Sequence, residues 1–254
     1  MSTNTPELAV VILAAGKGTR MKSDLPKVLH PLAGRPMIDW VVDLGEQLGA
    51  ARTVVVVGHG ADLVEAHLAG RDKLSFALQE PQLGTGHAVM AAMPALDGFE
   101  GDIIIFYGDV TGMRRSTAQA IIDTHREQGN DETILAMDLD PPPPYGRLIF
   151  DDTGRLVRIV EERDATEEEK KITLVNSGII VATAEAMRVG LPLLSTENDQ
   201  KEYYLTDLAE VLGARGYKVG YAVAPDPEEL RGINSQDELA AMEQRWEATG
   251  GKED

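Results

Sequence analysis

Small residues and cations lie together directly after the first apolar run of the chain, Leu8–Leu13. The segment that follows is Ala14-Ala15-Gly16-Lys17-Gly18-Thr19-Arg20-Met21. Between Leu13 and His30 there are four Lys or Arg residues and one Asp, in a chain whose formal net charge is −18. Backbone N–H groups of small residues approach phosphate oxygens closely, and Arg20 and Lys27 add positive charge. The pattern favours a polyphosphate site over the alternative, an ordinary glycine turn with solvated basic residues.

Two common nucleotide-binding motifs do not fit this segment. The dinucleotide fingerprint needs a third glycine where Met21 stands, and it needs a carboxylate after the next strand. That strand, Thr53–Val57, ends in Gly-His-Gly instead. A Walker loop needs Gly-Lys followed by Ser or Thr, but Lys17 is followed by Gly18. An NAD-dependent oxidoreductase is therefore disfavoured, and the segment is interpreted as a nucleotide loop of another type.

Polar residues follow two further apolar runs. Asp109 closes Tyr107-Gly108-Asp109 after the run Ile103–Phe106. If Asp109 faces the phosphate loop, it repels the nucleotide unless a cation lies between them, and Mg²⁺ takes carboxylate and phosphate oxygens together. The alternative is a turn or helix cap. The amides of Gln79 and Gln82 carry the donors and acceptors that suit a base edge, and nearby Thr85 is a candidate helix N-cap.

The elements that position these residues alternate along the first part of the chain. Short apolar runs predict strands at 9–14, 53–57, 74–78, 102–107 and 133–139, and periodic segments predict helices at 37–48, 61–68, 86–95 and 116–128. This alternation is typical of an α/β fold, a Rossmann-like three-layer structure around a mostly parallel sheet. Ligands bind such sheets beyond the carboxyl ends of the strands, where the polar segments lie.

The pattern changes after Pro141–Pro144, which we interpret as a rigid loop within one domain, with a linker as the alternative. Ser235 and Glu238 form a candidate capping box at the start of the last helix. The predicted elements are a hairpin (147–151 with 156–161), strands at 174–182 and 218–224, and helices at 205–214 and 235–247.

Composition limits the class of protein. The 254 residues include 43% apolar and 26% charged residues, as in an ordinary globular protein. Residues 1–7 are polar and no apolar run reaches about eighteen residues, so we expect neither a secretory signal nor a membrane span. The absence of cysteine rules out disulfides and thiolate chemistry and fits a cytoplasmic protein. The acidic charge balance argues against nucleic acid and anionic membranes as partners.

Many ordered motifs resemble one family, the uridylyltransferase half of the bacterial bifunctional N-acetylglucosamine-1-phosphate uridylyltransferase/glucosamine-1-phosphate acetyltransferases. The likeness runs from about Leu8 to the helix after Asn234. It is carried by 13–21, 25–30, 79, 82–87, 107–109, 145–147, 159–161, 176–178, 202–207 and 232–234.

The resemblance implies the nucleotide-diphospho-sugar transferase type of fold and a Mg²⁺-dependent reaction. UTP and N-acetylglucosamine 1-phosphate would give UDP-N-acetylglucosamine and pyrophosphate for cell-wall precursor synthesis. It also implies a nucleotidyltransferase domain at 1–234, with a nucleotide-binding half (8–140), a β-rich sugar-binding half (141–234) and a C-terminal helix and tail (235–254).

The same resemblance implies roles for individual residues. Arg20 and Lys27 would neutralise the triphosphate and the departing pyrophosphate, and Asp109 and Asn234 would share the Mg²⁺. The uridine end would be held by Leu13, Ala14, Ala15, Gly16, Gln79, Gly84 and Thr85, with Gln82 and Gly108 also counted among the binding residues. The sugar pocket would be lined by Tyr107, Gly146, Glu161, Asn176, Tyr204 and Thr206.

Three departures from the family pattern leave alternatives open. Thr111-Gly112 replaces the usual Pro-Leu, and Pro143-Pro144 replaces a glycine before Tyr145. The β-helix of hexapeptide repeats that carries acetyl transfer and builds the family's trimer has no counterpart in the sequence. We therefore expect no acetyltransferase activity and leave the oligomeric state open. The alternatives are the same chemistry on another sugar 1-phosphate, or a weakly active module that binds nucleotide-sugars.

Overall fold

A computed structural model describes residues 5–249. Residues 1–4 of the polar first segment and residues 250–254 of the predicted tail lie outside the described residues. Within the described part, no helix combines the length and the hydropathy that a membrane crossing requires.

The strands and helices follow the alternation expected from the sequence. The strands are β1 (Leu8–Leu13), β2 (Pro31–Leu32), β3 (Arg35–Pro36), β4 (Arg52–Val57), β5 (Leu74–Leu78), β6 (Asp102–Tyr107), β7 (Glu132–Asp138), β8 (Arg147–Phe150), β9 (Leu156–Val160), β10 (Leu174–Thr183) and β11 (Val219–Val223). The α-helices are α1 (Met37–Gln47), α2 (Ala61–Leu68), α3 (Thr85–Ala92), α4 (Arg115–Gln128), α5 (Ala184–Gly190), α6 (Leu208–Gly213) and α7 (Gln236–Thr249).

One large sheet organises the molecule, in the order β11-β7-β10-β6-β1-β4-β5. All neighbours in this order are parallel except at β10, which runs antiparallel to both β6 and β7. Buried side chains form one core on each face: α3, α5 and α6 contribute to the first, and α1, α2 and α4 to the second. The three-layer α/β fold with a mostly parallel sheet is confirmed.

Strand β10 joins the two predicted halves of the chain. It belongs to the predicted sugar-binding half, yet it lies between β6 and β7 of the predicted nucleotide-binding half. The β8–β9 hairpin is attached through the pairing of Arg147 with Val175 of β10. Residues from both halves therefore share one sheet, and the segment Pro141–Pro144 connects β7 to β8.

Some elements differ from the sequence-based expectation. Helix α5 was not predicted, and the predicted helix 205–214 divides into a 3-10 turn (Leu205–Asp207) followed by α6. At the last helix, Ser235 Oγ accepts a hydrogen bond from the Glu238 N–H at 3.2 Å, as expected for an N-cap. The Glu238 carboxylate accepts from the Asn234 N–H at 2.6 Å, one residue before the position that a capping box uses.

Helix α7 packs over residues between 21 and 40 through a third apolar cluster. Its described members are Met21, Leu32, Met37, Ile233 and Leu239, with Trp40, Met242 and Trp246 against them. The rings of Trp40 and Trp246 lie 4.7 Å apart. The Gln236 side chain also donates a hydrogen bond to the carbonyl of Met21 at 3.2 Å. The last helix is thus fixed to the turn that carries Arg20.

Candidate active site

Two adjoining cavities open where the parallel strands end. The first, of about 560 Å³, is lined by Leu13, Ala14, Ala15, Gly16, Lys17, Lys27, Val28, Gln79, Gln82, Gly84, Thr85, Ala88, Tyr107, Asp109, Glu202 and Asn234. The second, of about 320 Å³, is lined by Thr85, Tyr107, Asp109, Val110, Pro144, Tyr145, Gly146, Glu161, Asn176, Ser177, Gly178, Gln200, Glu202, Tyr204, Thr206, Leu230, Gly232 and Asn234. Five residues line both: Thr85, Tyr107, Asp109, Glu202 and Asn234.

Neighbouring loops hold the small-residue segment after β1 in place. The Ala14 N–H donates to the carbonyl of Val56 at 2.9 Å, which extends the β1–β4 pairing beyond the strand. The carbonyl of Ala15 accepts from the side chain of Gln82 and from the N–H of His59. Around Gly16, by contrast, a Cβ atom would meet nothing within 4 Å. The segment is therefore anchored on one side and open toward the first cavity at Gly16.

Gln79 shapes the loop before α3. Its side chain is buried, and its amide nitrogen donates to the carbonyl of Gly84 at 2.9 Å and lies 3.2 Å from His87 Nδ1. The amide nitrogen is thus engaged within the protein, which leaves the amide oxygen as the part of this side chain that can face a ligand.

Gly84 brings two distant segments into contact. Its φ is +105°, and a Cβ atom there would lie 2.6 Å from the carbonyl oxygen of Tyr203. On either side of it, the Tyr203 N–H donates to the carbonyl of Leu83 and the Gly86 N–H donates to the carbonyl of Tyr203, both at 2.8 Å. Only glycine combines this backbone conformation with so close an approach.

The prediction that Thr85 is the N-cap of α3 is wrong, because Gly84 holds that position. Thr85 is the first helical residue, and its hydroxyl accepts a hydrogen bond from the Leu205 N–H at 3.1 Å. The hydroxyl therefore serves the contact with the segment around Tyr204 rather than the helix end.

Lys27, Asp109 and Asn234 meet at the junction of the two cavities. The Lys27 ammonium lies 2.5 Å from Asp109 Oδ2 and 3.1 Å from Asn234 Oδ1. The amide nitrogen of Asn234 donates to the carbonyl of Gly232 at 3.1 Å, which turns the amide oxygen toward Lys27. The Ile233 N–H donates to the carbonyl of Asp109 at 3.0 Å and holds the two backbones together.

The oxygen atoms that meet at this junction are suitable ligands for a hard divalent cation. A carboxylate oxygen and an amide oxygen already converge on one cationic nitrogen, and such oxygens are the ligands that Mg²⁺ takes. Among residues 5–249 no group of three or more His, Cys, Asp or Glu side chains is placed to hold a metal. The remaining ligands would come from water and phosphate oxygens, as is usual for Mg²⁺.

The second cavity is built around Glu161. Its carboxylate accepts a hydrogen bond from the Thr206 hydroxyl at 2.9 Å. Burial raises the pKa of Glu161, the Thr206 hydrogen bond opposes this shift, and Asp164 adds to it. At Gly146 a Cβ atom would lie 2.7 Å from Ile159 Cγ2 and 3.4 Å from Glu161 Oε1, so a larger residue would clash with Ile159 right beside this carboxylate.

A bulge in β10 forms the opposite wall. The pairing with β7 shifts between Asn176 and Ile180, and the Asn176 side chain accepts from the Gly178 N–H at 3.0 Å. Gly178 has a φ of +88°, and a Cβ atom there would lie 2.7 Å from Tyr107 Cε2. Burial first, then the charges of Glu161 and Asp109, raise the pKa of the Tyr107 hydroxyl, which is therefore neutral and able to donate.

Two groups beside Glu161 have shifted pKa values. Burial, with the charges of Glu210 and Glu161, raises the pKa of Asp207 to about 6. Burial, with the charge of Asp164, raises the pKa of Tyr204 to about 12. The described residues that line the second cavity include the carboxylates Asp109, Glu161 and Glu202 and no Lys or Arg, which suits hydroxyl groups of a sugar better than a second phosphate.

Arg20 and Gly108 lie outside the lining of both cavities. Arg20 is exposed on the 3-10 turn Thr19–Met21, so its contact with a triphosphate stays a prediction. Gly108 lies beneath the site: its N–H donates to the carbonyl of Leu13 at 3.0 Å, and a Cβ atom would lie 2.9 Å from Val28 Cγ1. Its small size serves packing under the site.

Sequence reasoning missed several lining residues. Glu202 lines both cavities, and Lys17, Tyr145 and Gln200 each line one. Glu202 was quoted in the motif with Tyr204, and Lys17 in the small-residue segment, but neither was assigned a role. The place of Glu202 depends on the contacts of 83–86 with 203–205, which no local pattern reveals.

Two of the three departures from the family pattern, Thr111-Gly112 and Pro143-Pro144, lie near the site. Thr111 is fully buried, and its hydroxyl has no hydrogen-bond partner among the described residues. Gly112 lies against residue Glu229, with a hypothetical Cβ only 3.0 Å from the Glu229 carbonyl. Glu229 belongs to the segment that leads to Asn234, and Pro144 lines the second cavity. Thr111-Gly112 therefore lies beside the segment that leads to the junction, and Pro143-Pro144 lies beside the second cavity.

Fold and site together define a class of protein, the nucleotide-binding α/β transferases. The small-residue loop and Asp109 follow the adjacent parallel strands β1 and β6, and together with Lys27 and Asn234 they border a two-part cleft. Residues 10–175 match the family described as MobA-like NTP transferase domain. The chain belongs to this family.

Two curated relatives share high sequence identity with most of the chain. The chain is 48% identical to the bifunctional protein GlmU of Geobacter metallireducens over 92% of its own length and 49% of that protein. It is 48% identical to the bifunctional protein GlmU of Chromohalobacter salexigens over 94% of its length and 52% of that protein. The chain thus spans about half the length of the curated relatives it matches, and the resemblance stated from the sequence motifs is confirmed.

Solved structures agree on the fold. A UDP-glucose pyrophosphorylase complexed with UDP-glucose superposes with a TM-score of 0.75 at 17% identity, covering 96% of this chain and 99% of that one. The apo form of UDP-glucose pyrophosphorylase gives a TM-score of 0.73 at 16% identity with the same coverage. At this identity the likeness concerns the fold alone.

Proposed function

We propose that this chain transfers the uridylyl group of UTP to N-acetylglucosamine 1-phosphate, giving UDP-N-acetylglucosamine and pyrophosphate in the cytoplasm for cell-wall precursor synthesis. The observation that carries the proposal is the junction of two cavities at Lys27, Asp109 and Asn234. Relatives named bifunctional protein GlmU, 48% identical over most of the chain, support the choice of substrates.

The reaction joins two anions. A phosphate oxygen of the sugar phosphate attacks the α-phosphorus of UTP, the bond from that phosphorus to the α–β bridging oxygen breaks, and pyrophosphate leaves with that oxygen. The attacking oxygen is already anionic, so no general base is needed. The main barrier is repulsion and misalignment of the two phosphates, which cations and fixed positions lower.

The residues of the first cavity suit the triphosphate and uridine. The open backbone around Gly16 and the ammonium groups of Lys17 and Lys27 line this cavity and would bind the phosphates. The Gln79–Thr85 loop, fixed by its contacts with Tyr203 and Leu205, would hold the uracil end. Arg20 reaches the departing pyrophosphate only if its exposed side chain turns toward the cleft.

The residues of the second cavity suit the sugar. Glu161 and Asn176 offer acceptors, Tyr107 offers a hydroxyl donor, and Gly146 leaves space beside Glu161. Asp109 and Asn234, which line both cavities, would hold the metal between the two substrates. The family implies a divalent cation, and we propose Mg²⁺, which when bound neutralises charge on the reacting phosphates.

A substrate panel tests the proposal. The protein is incubated with Mg²⁺, each of the four ribonucleoside triphosphates and each of several hexose 1-phosphates, and pyrophosphate release is measured. We expect release with UTP and N-acetylglucosamine 1-phosphate to exceed every other pair. A better rate with another sugar 1-phosphate would replace the proposed acceptor. Binding of UDP-N-acetylglucosamine without turnover of any pair would favour the weakly active binding module.

A further inference from the structure

The Lys27 ammonium lies where two oxygen ligands converge. Its distances to Asp109 Oδ2 and Asn234 Oδ1 are 2.5 Å and 3.1 Å. The side chains of Lys27 and Asp109 are only 17% and 11% exposed, so water screens this ion pair weakly. The ammonium therefore neutralises Asp109 and keeps the carboxylate and the amide oxygen pointed at a common position.

A divalent cation bound by the same oxygens needs that position. Mg²⁺ binds oxygen ligands at about 2.0–2.1 Å, closer than the ammonium does. Two cations this close, sharing the same two oxygens, repel each other strongly in a partly buried site. The ammonium of Lys27 and the metal therefore exclude each other between Asp109 and Asn234.

The start of the Lys27 side chain is held in place, but its ammonium group has a second possible position in the first cavity. A Cβ atom on Gly18 would lie 2.7 Å from Lys27 Cβ, and the neighbouring Val28 is buried, so the start of the Lys27 side chain lies close against the Gly18 turn. Four methylene groups carry the ammonium, which lines the first cavity together with Lys17 and the open backbone at Gly16. A triphosphate in that cavity offers the ammonium new oxygen partners.

We propose that Lys27 is a resident cation that holds Asp109 and Asn234 together in the nucleotide-free protein and releases them to a divalent cation when a triphosphate binds its ammonium. The inference rests on the proposed function for the identity of that triphosphate. Binding of metal and of nucleotide is then coupled through one side chain, and the free protein has a weak affinity for the metal alone.

A metal titration without nucleotide tests this role. Free Mn²⁺, used as a probe for the Mg²⁺ site, is measured by electron paramagnetic resonance during titration of wild type, Lys27→Met and Lys17→Met. Both variants lose one positive charge in the same cavity, but only Lys27 contacts Asp109 and Asn234. We expect Lys27→Met to bind Mn²⁺ about 10-fold more tightly than wild type and Lys17→Met within about twofold.

Two further variants make the result decisive. Lys27→Gln repeats the charge removal with a polar side chain, which guards against a folding defect of the methionine variant. Lys27→Met combined with Asp109→Asn is expected to lose the gained Mn²⁺ affinity. Unchanged or weaker Mn²⁺ binding by both single Lys27 variants, with native melting curves, would overturn the proposal. Because no nucleotide is present, failure of the substrate panel would leave this metal result unaffected.

Discussion

Gly84 illustrates how one residue without a side chain sets the geometry of the site. Its φ is +105°, and the Tyr203 carbonyl oxygen lies 2.6 Å from the position that a Cβ atom would take, so only glycine fits here. The loop that lines the first cavity and the segment that lines the second are held against each other at this point.

We predict that Gly84→Ala lowers kcat/KM for UTP at least about 10-fold, because the new methyl group forces the two segments apart. The matched control is Gly154→Ala in the β8–β9 turn. Gly154 also has a positive φ of +80°, but a Cβ atom there meets nothing within 4 Å. The Gly154→Ala substitution should cost about 1 kcal/mol of stability and leave kcat/KM for UTP unchanged. Equal kinetic effects of the two substitutions would contradict the role given to Gly84.

At the residue scale, the residues of the junction were easier to predict than the contacts between them. Lys27 and Asp109 were singled out from residue type and motif, and Asn234 from the family resemblance. That the Lys27 ammonium contacts both of the others could not be derived, because the partners lie 82 and 207 positions apart. Gly108 was counted with the binding residues as part of the motif 107–109, and the structure shows that its small size allows close packing against Val28.

At the scale of elements, helix α7 connects the end of the described chain to the beginning of the site. It buries Met21, the residue after Arg20, and its Gln236 side chain holds the Met21 carbonyl. In its first turn, the Glu238 carboxylate also accepts a hydrogen bond from the Asn234 N–H. One helix therefore positions the Arg20 turn and the Asn234 amide together.

We predict that Leu239→Ala on α7 destabilises the protein by about 2–4 kcal/mol and raises the KM for UTP, since the cavity lies beside Met21. Leu68→Ala on α2 is the matched control, because this leucine is buried in a different cluster. It should cost similar stability without changing the KM. Both tryptophans of the chain lie in the α7 cluster, so their emission should shift in Leu239→Ala alone. An unchanged KM in Leu239→Ala would contradict the positioning role of α7.

Elements were predictable where their pattern was long and regular. Strands β1, β4 and β6 are apolar on both faces because helices cover the sheet on both sides, and their sequences show this directly. Helix α5 was missed because its seven residues, Ala184–Gly190, are too few to show a clear helical period in the sequence. The insertion of β10 between β6 and β7 is a long-range pairing that no local pattern reveals.

At the scale of the whole molecule, stability has a pH dependence that originates far from the site. Glu132 at the start of β7 is 1% exposed, and among the described residues its Oε2 atom has no hydrogen-bond partner. Burial raises the pKa of Glu132 from 4.5 to about 8. Between these values the folded protein holds a proton that the unfolded chain has lost, so the free energy of unfolding falls as the pH rises.

We predict that Glu132→Gln removes this dependence. Relative to wild type, the variant should gain up to about 1.4 kcal/mol of unfolding free energy per pH unit between about pH 5 and 8. Urea unfolding at several pH values measures the difference. Parallel stability curves for the two proteins across this range would show that Glu132 does not carry the buried proton.

The charge distribution of the whole molecule also supports the division of the site. The net charge is −18, and Asp109 and Glu202 line both cavities, but Lys17 and Lys27 line the first cavity and no Lys or Arg is among the described residues that line the second. An anionic nucleotide is therefore attracted to one part of the cleft and an uncharged sugar ring fits the other. In the proposed reaction, both substrates would come within reach of a single cation where the two parts meet, at Asp109 and Asn234.

The most direct test of this account is the rate of pyrophosphate release from UTP and N-acetylglucosamine 1-phosphate by wild type and Asp109→Asn at saturating Mg²⁺. Asp138→Asn, at the exposed end of β7, serves as the matched control. We predict a loss of at least about 1,000-fold in kcat for Asp109→Asn, because the carboxylate that would hold the cation between the reacting phosphates is gone. An Asp109→Asn protein that turns over as fast as the control would contradict the account.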